Sequence, residues 1–163
     1  MAIATTLTKY LDDKEINYEL VEHAHTSTSR ATARAANVPA HQVAKAVVLR
    51  DESGYVVSVL PANHSLELSW VNETLERNLE LACEDEFKEL FTDCEAGAVP
   101  ALGEAYGIQV VWDDDLGYTS DIYIEAGDHE HLFWLERREF RKLMSSLPHN
   151  IISKDDEVGS WKY

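Results

Sequence analysis

Two valine-rich runs separated by a short polar turn constrain the fold of this chain more than any other feature of its sequence. Residues 44–49 read Ala-Lys-Ala-Val-Val-Leu and residues 55–60 read Tyr-Val-Val-Ser-Val-Leu, and the turn between them ends in Gly54. Valine-rich segments on both sides of a glycine-containing turn are typical of a β-hairpin. The sequence therefore predicts that a β-sheet forms part of the core.

Short helices and strands are interspersed along the rest of the chain. Helices are predicted over residues 5–14, 30–36, 66–75, 84–91 and 136–144, and strands over residues 18–21, 79–83, 109–112, 121–126 and 131–135. Hairpins outnumber clean strand–helix–strand units, so we expect a mixed α/β fold rather than a doubly wound parallel sheet. Its centre would be a mixed sheet or partial barrel, with helices packed outside.

The chain is long enough for one domain with its own core, since it has 163 residues. We predict that residues 1–145 form this domain. Residues 146–163 contain Pro148, Gly159 and several acidic residues, and they are predicted to form a loose acidic C-terminal tail.

The charge of the chain argues against binding nucleic acid through its overall electrostatic field. The formal net charge is −16, which opposes approach to phosphates. Residues 1–50 nevertheless hold six basic and five acidic residues, whereas the remainder holds eight basic and 25 acidic ones. A nucleic acid would have to approach the N-terminal third or the basic cluster at residues 137–142, which is otherwise a solvated helix face.

Several protein classes are disfavoured by the absence of their sequence signals. No apolar run approaches the ~18 residues of a membrane span, and the first residues lack the pattern of a secretory signal. Two cysteines are too few for a disulfide scaffold, so we expect a cytoplasmic protein with no membrane partner. A helix–turn–helix over residues 30–49 would run into Val47-Val48-Leu49, which favour a strand, so we expect no DNA partner.

Lys45 is a lone charge in the first apolar run. Burial of an unpaired ammonium costs on the order of several kcal/mol, because the charge loses its hydration. Lys45 therefore either points to solvent from the outer face of the strand or lies at the mouth of a pocket. In a pocket it could polarise a carbonyl or bind a phosphate. The pattern alone leaves both arrangements open.

Two glycine-containing segments are further candidates for a ligand site. Gly97-Ala98-Val99-Pro100 combines a glycine, which lets the backbone approach a ligand, with a proline that fixes part of the loop. Gly127-Asp128-His129 opens a second loop. Either segment could instead be an ordinary turn. The pairs His23/His25 and His129/His131 lack further ligands at a zinc spacing, so we predict no metal site.

Three of these segments, taken in order, resemble the YbaK family of aminoacyl-tRNA deacylases, which also occurs as an editing domain within bacterial prolyl-tRNA synthetases. They are residues 44–49, 93–103 and 122–129, and the helix that starts near Ser29 is also similar. The resemblance covers residues 5–144. Family members often have two consecutive prolines in the middle segment, where this chain has Pro100 and Ala101. This difference could widen the pocket.

The resemblance implies a trans-editing hydrolase that cleaves the ester between a wrongly attached amino acid and the 3′ end of a tRNA. It implies catalytic roles for Lys45 and Gly127. The substrate-binding residues that it implies are Arg30, Gly97, Ala98, Val99, Pro100, Asp128 and His129. The expected substrate carries a small amino acid, with alanine first and cysteine or serine next.

The implied partners are the acceptor end of a mischarged tRNA and, as a docking partner, prolyl-tRNA synthetase. An aminoacyl ester is already activated, so neither a Ser or Cys nucleophile nor a metal or other cofactor is required. One alternative stays open at this stage. A non-catalytic relative could bind an amino-acid-like ligand or a partner protein in the same pocket.

Overall fold

The computed structural model describes residues 2–156, and this range contains five α-helices and ten strands. The helices are α1 (Thr5–Asp13), α2 (Ser29–Ala36), α3 (Leu68–Leu75), α4 (Glu84–Leu90) and α5 (Arg137–Met144). The strands are β1 (Glu19–Glu22), β2 (Val43–Asp51), β3 (Gly54–Pro61), β4 (His64–Leu66), β5 (Glu80–Leu81), β6 (Gln109–Asp113), β7 (Asp121–Glu125), β8 (His131–Glu136), β9 (His149–Asn150) and β10 (Ser153–Asp155).

The predicted hairpin forms the centre of a mixed sheet. Strands β2 and β3 pair antiparallel from Ala44 opposite Pro61 to Asp51 opposite Gly54. The strand order is β1-β8-β7-β2-β3-β6-β9, with β5 also paired to β2, and the β2–β7 and β3–β6 pairs are parallel. The mixed α/β fold with a central mixed sheet is therefore confirmed.

The sheet opens beside the first half of β2. Strand β7 pairs with β2 only at Val43 and Ala44, and β5 joins the same strand only at Leu49 and Arg50. Within the described residues, positions 45–47 of β2 therefore have no strand neighbour on this side. This opening creates room for a cavity in the middle of the fold.

Alternation along β2 divides its side chains between two cores. Ala44 and Val48 belong to the larger core, which also contains Leu7 and Phe133. Leu49 belongs to a smaller core on the other face. Because successive strand residues point to opposite faces, Lys45 lies on the face opposite that of Ala44.

The prediction of a loose tail from residue 146 is wrong for the part that the structure describes. Strand β9 pairs with β6, strand β10 pairs with β4, and Ile152 between them is fully buried in the smaller core. Burial of Ile152 gives this segment a hydrophobic anchor that its proline and acidic residues obscured. The remainder of the predicted tail, residues 157–163, lies outside the described residues.

Two other sequence interpretations are corrected or excluded by the strands. The alternation over residues 79–83 predicted a half-buried strand, but β5 has only two residues and both are exposed. Residues 43–51 form a strand, which excludes the helix–turn–helix arrangement. Within residues 2–156, every helix is too short or too polar to cross a bilayer.

Candidate functional site

A cavity of about 180 Å³ lies in the opening beside β2. Ala44 and Ala46 form one wall, Glu125 and Leu132 come from β7 and β8, and Phe87 comes from α4. The remaining lining residues are Ser27, Thr28, Ser29, Thr32, Val43, Glu84, Gly97, Val99 and His129. The cavity therefore combines an apolar floor with hydroxyl groups from the first turn of α2.

A second cavity, of about 680 Å³, shares part of this lining and extends along α4. Phe87, Gly97 and His129 belong to both cavities, whereas Lys88 and Phe91 line only the larger one. The two cavities are thus adjoining parts of one site. The smaller part lies against the sheet and the larger part lies along the helix.

His129 joins the two glycine-containing loops that the sequence analysis singled out. Its Nε2 donates to the Ala96 carbonyl at 2.7 Å, and its ring lies 5.0 Å from the ring of His25. A carbonyl can only accept, so Nε2 carries a proton. A Cβ at Gly97 would lie 3.7 Å from the His129 ring, so the loop packs directly on it.

Gly127 stabilises the loop and does not line either cavity, although it was predicted to be catalytic. Its N–H donates to Glu125 Oε2 at 2.8 Å, and its carbonyl accepts from the Glu95 N–H at 2.7 Å. Its φ is +100°, and a Cβ there would lie 3.0 Å from Ala4 Cβ and 3.1 Å from Cys94 Sγ. A side chain at this position would therefore be strained by the backbone conformation and would press on both neighbours.

Asp128 is also a structural residue in the described contacts. Its buried carboxylate accepts from the backbone N–H groups of Glu130 and His131, both at 2.9 Å, and from His131 Nδ1 at 2.6 Å. Burial alone would raise the pKa of Asp128, but these hydrogen bonds outweigh it and lower the pKa. Asp128 thereby fixes the turn that presents His129.

Lys45 and Arg30 form a cluster on the other face of β2, and neither lines the two cavities. Lys45 Nζ donates to the His64 carbonyl at 2.5 Å, and Arg30 forms an ion pair with Asp156 at 2.5 Å. Burial lowers the pKa of Lys45, Asp156 acts against this, and Arg30 reinforces it. The neighbours Ala44 and Ala46 line the small cavity, whereas Lys45 itself does not.

The middle segment divides between cavity and core. Gly97 and Val99 line both cavities and Ala98 lines the larger one. Pro100 is buried, and Ala101 is fully buried in the larger core. Ala101 is absent from the described lining residues, so the difference from the family at this position does not widen the cavity directly.

The sequence analysis missed Glu125, which is one of two acidic residues in the wall of the small cavity, the other being Glu84. Both of its hydrogen bonds reach one oxygen, since Oε2 accepts from Gly127 N–H at 2.8 Å and from His129 N–H at 3.3 Å. Burial raises the pKa of Glu125 despite these two bonds and the nearby His129. Its position directly before the Ala126-Gly127 turn was the only available signal.

Cys94 lines the larger cavity but is poorly suited to be a nucleophile. Burial raises the pKa of its thiol to about 11, so the thiolate is scarce at neutral pH. Its Sγ lies 3.3 Å from the Tyr106 hydroxyl.

Among the described residues, one group could hold a metal ion, and it differs from the histidine pairs considered in the sequence. His64, Asp113 and Asp115 offer ligand atoms within 4.8 Å of one another. Asp113 is fully buried and accepts from Ile152 N–H, the Ser153 hydroxyl and Asp115 N–H. Its carboxylate is thus already used by the C-terminal segment.

The basic cluster at residues 137–142 is partly used within the fold. Arg137 donates to the Tyr118 and Thr119 carbonyls, and Arg141 donates to the Gly117 carbonyl. Lys142 Nζ donates to the Glu15 carbonyl at 2.8 Å. These bonds favour a structural interpretation of the cluster over a surface dedicated to nucleic acid.

Solved structures share this fold over most of the chain. A hypothetical protein, APE2540, matches with a TM-score of 0.81 and 20% identity, covering 91% of this chain and 99% of its own. A candidate trans-editing enzyme for prolyl tRNA synthetase matches with a TM-score of 0.79 and 20% identity, covering 91% and 95%. A candidate signal transduction protein from Marinobacter aquaeolei VT8 matches with a TM-score of 0.76 and 18% identity, covering 94% of this chain but 31% of its own.

Sequence comparison assigns the family. A search of curated protein sequences found no match. The model of the aminoacyl-tRNA editing domain, however, matches residues 23–143, which include α2, the central hairpin and both loops of the site. The chain therefore belongs to the aminoacyl-tRNA editing domain family.

Proposed function

We propose that this protein is a trans-editing hydrolase that cleaves mischarged aminoacyl-tRNA carrying a small amino acid. The observation that carries the proposal is the 180 Å³ cavity, which is built from the segments that the family model matches. An apolar cavity of about 150 Å³ can hold a molecule of benzene. A small aminoacyl group fits a space of this size.

The reaction requires only a positioned water molecule. Water attacks the ester carbonyl carbon, the bond from that carbon to the ribose O3′ breaks, and the proton lost by the water is taken up by O3′. The products are a free amino acid and a tRNA with an intact 3′ hydroxyl. The neighbouring ribose hydroxyl can orient the water, and N–H donors of the loop at Gly97 can stabilise the developing oxyanion.

The larger cavity suits the terminal nucleoside of the tRNA. Phe87 and Phe91 offer aromatic faces on which a base can stack, and Lys88 offers a charge for a phosphate. The small cavity would then receive the aminoacyl group from the same direction. Because the rest of the molecule is strongly acidic, we expect weak tRNA affinity and rapid release, aided by docking on prolyl-tRNA synthetase.

We assign Lys45 and Arg30 to the electrostatics of the substrate end. Their cluster lies beside the N-terminus of α2, where Ser27, Thr28 and Ser29 line the small cavity. A cationic cluster at this position attracts the phosphate that precedes the esterified ribose. Lys45 would exchange its bond to the His64 carbonyl for the substrate.

A panel of labelled alanyl-, cysteinyl-, seryl- and prolyl-tRNA tests the proposal. We expect release of the small amino acids, with alanine fastest, and slow release of proline, because the cavity excludes larger side chains by contact. Hydrolysis of prolyl-tRNA as fast as the best small substrate would refute selection by size. Saturable binding of these tRNAs without any hydrolysis would favour the non-catalytic relative instead.

A further inference from the structure

The carboxylate of Glu125 lies in the wall of the small cavity, and only one of its two oxygens is hydrogen-bonded to the loop. Oε2 accepts from the backbone N–H groups of Gly127 and His129, at 2.8 and 3.3 Å. These two bonds fix the plane and position of the carboxylate, while Oε1 takes part in neither. The side chain is therefore held by the loop and still has an acceptor to offer a ligand.

Among the described lining residues of this cavity, His129 is the one side chain that could carry a positive charge beside Glu125, and its nearness acts to lower the Glu125 pKa. Both hydrogen-bond donors to Glu125 are neutral backbone groups, and among the described lining residues there is no Lys or Arg. Around this carboxylate the wall combines Ala44, Ala46 and Leu132 with hydroxyl groups and a second carboxylate, that of Glu84. Burial raises the pKa of Glu125, so its ionised form gains from an accompanying positive group. The cavity is thus electrostatically complementary to a small cationic ligand.

We propose that Glu125 binds the α-ammonium group of the aminoacyl ester, so that the site takes esters with a free α-amino group. This assignment rests on the proposed function, which supplies the ester. The ammonium would donate to Oε1, and the small side chain would lie against Ala44, Ala46 and Val99. Two fixed contacts on the same α-carbon orient the carbonyl toward the attacking water.

The assignment also defines a class of esters that the enzyme spares. Peptidyl-tRNA and N-acylated aminoacyl-tRNA carry an amide in place of the ammonium, so they bring no positive charge to Glu125. They also add bulk where the carboxylate lies. Selection by charge would therefore protect growing chains, while selection by size protects correctly charged tRNA.

Alanyl-tRNA and lactyl-tRNA form the matched pair that tests this role. Lactate replaces the ammonium of alanine with a hydroxyl at nearly the same size, so the pair isolates the charge. Rates are divided by the uncatalysed hydrolysis rate of each ester. We expect the wild-type protein to favour alanyl-tRNA about 10- to 100-fold in kcat/KM, as for a charge-assisted hydrogen bond.

Glu125→Gln keeps an oxygen for the two backbone N–H groups but removes the charge. We expect it to lower kcat/KM for alanyl-tRNA about 10- to 100-fold and to leave lactyl-tRNA nearly unchanged, so that the preference falls toward one. Glu130→Gln is the matched control, because its side chain belongs to the same loop but does not line the described cavities. It should keep the wild-type preference.

Several outcomes would overturn the assignment. Equal losses on both esters in Glu125→Gln would indicate a general base or a structural residue, and no loss would exclude any role. If Glu125→Gln melts far below wild type, the wild-type protein decides alone, since a preference near one for alanyl- over lactyl-tRNA refutes ammonium recognition. Failure of the wild-type protein to hydrolyse any tested ester would instead refute the proposed function.

Discussion

Replacement of Gly127 by alanine tests whether this glycine is required by the backbone and by its neighbours. The residue has a φ of +100°, a conformation that L-residues rarely adopt. A Cβ there would also lie 3.0 Å from Ala4 Cβ and 3.1 Å from Cys94 Sγ. The substitution therefore combines backbone strain with overpacking between the N-terminal segment and the loop.

The two effects can be given separate magnitudes. A non-glycine residue in a sparsely populated backbone region costs about 1–3 kcal/mol, and an added methyl group in a tightly packed core costs about 1–3 kcal/mol. We expect a loss of about 3 kcal/mol in the free energy of unfolding. For a chain of this length that lowers Tm by about 6–12 °C.

Thermal and urea melts of Gly127→Ala and Gly107→Ala separate the two contributions. Gly107 also has a positive φ, of +72°, but a Cβ there meets nothing within 4 Å, so its substitution carries the backbone cost alone. The double variant Gly127→Ala with Cys94→Ala removes one of the two close contacts. It should recover part of the lost stability relative to the sum of the single changes.

Equal melting temperatures for Gly127→Ala and Gly107→Ala would refute this reasoning, because the close contacts would then cost nothing. A deacylation assay on the same proteins adds a functional measurement. Since the Gly127 N–H positions Glu125, we expect folded Gly127→Ala to lose activity as well. Full activity in this variant would show that the loop tolerates displacement.

Four further predictions concern other parts of the chain. Lys45→Ala should lower the deacylation rate about 10- to 100-fold through loss of a charged contact, whereas the exposed control Lys9→Ala should not. A near-normal rate in Lys45→Ala would show that Lys45 only donates to the His64 carbonyl and takes no part in the reaction. The Arg77 guanidinium lowers the pKa of Asp51 to about 2. The stability contributed by the Asp51 carboxylate is therefore present above its unfolded pKa of about 3.9 and is lost as the pH falls through the folded value. In urea melts, the free energies of unfolding of wild type and Asp51→Asn should converge as the pH falls between those two values. Ile152→Ala should cost about 2–5 kcal/mol in urea melts because a buried side chain is removed, whereas exposed Ile151→Ala should cost under about 0.5 kcal/mol, and equal costs would contradict burial of this segment. Chelator treatment of the protein, followed by assay with tRNA refolded separately in magnesium, should leave deacylation unchanged, and recovery by zinc alone would direct attention to His64 and Asp115.

The fold could be predicted where the pattern along the chain is local. The hairpin of β2 and β3 follows from valine runs around a polar turn, and α2 follows from an alanine-rich segment after Thr28, which caps it. Strand β9 could not be found in this way, because two residues carry no periodicity. Its place depends on pairing with β6, which is distant in sequence.

The site was predicted in part for the same reason. His129 and the loop at Gly97 meet as expected, because each is a conspicuous irregular segment between regular elements. Lys45 is conspicuous as well, but the alternation of a strand puts it on the face opposite Ala44 and Ala46, and a single residue of register decides this. Glu125 was overlooked because an acidic residue at the end of a short strand ordinarily faces water.

The open edge of β2 has a consequence for the solubility of the protein. Unpaired backbone groups along a strand are a template on which another chain can add a strand, and aggregation often begins there. Here Phe87 of α4 and Val99 of the neighbouring loop stand over the opening. The same residues that line the candidate site therefore also cover this unpaired edge, so we expect that displacing them would promote self-association as well as disrupt the pocket.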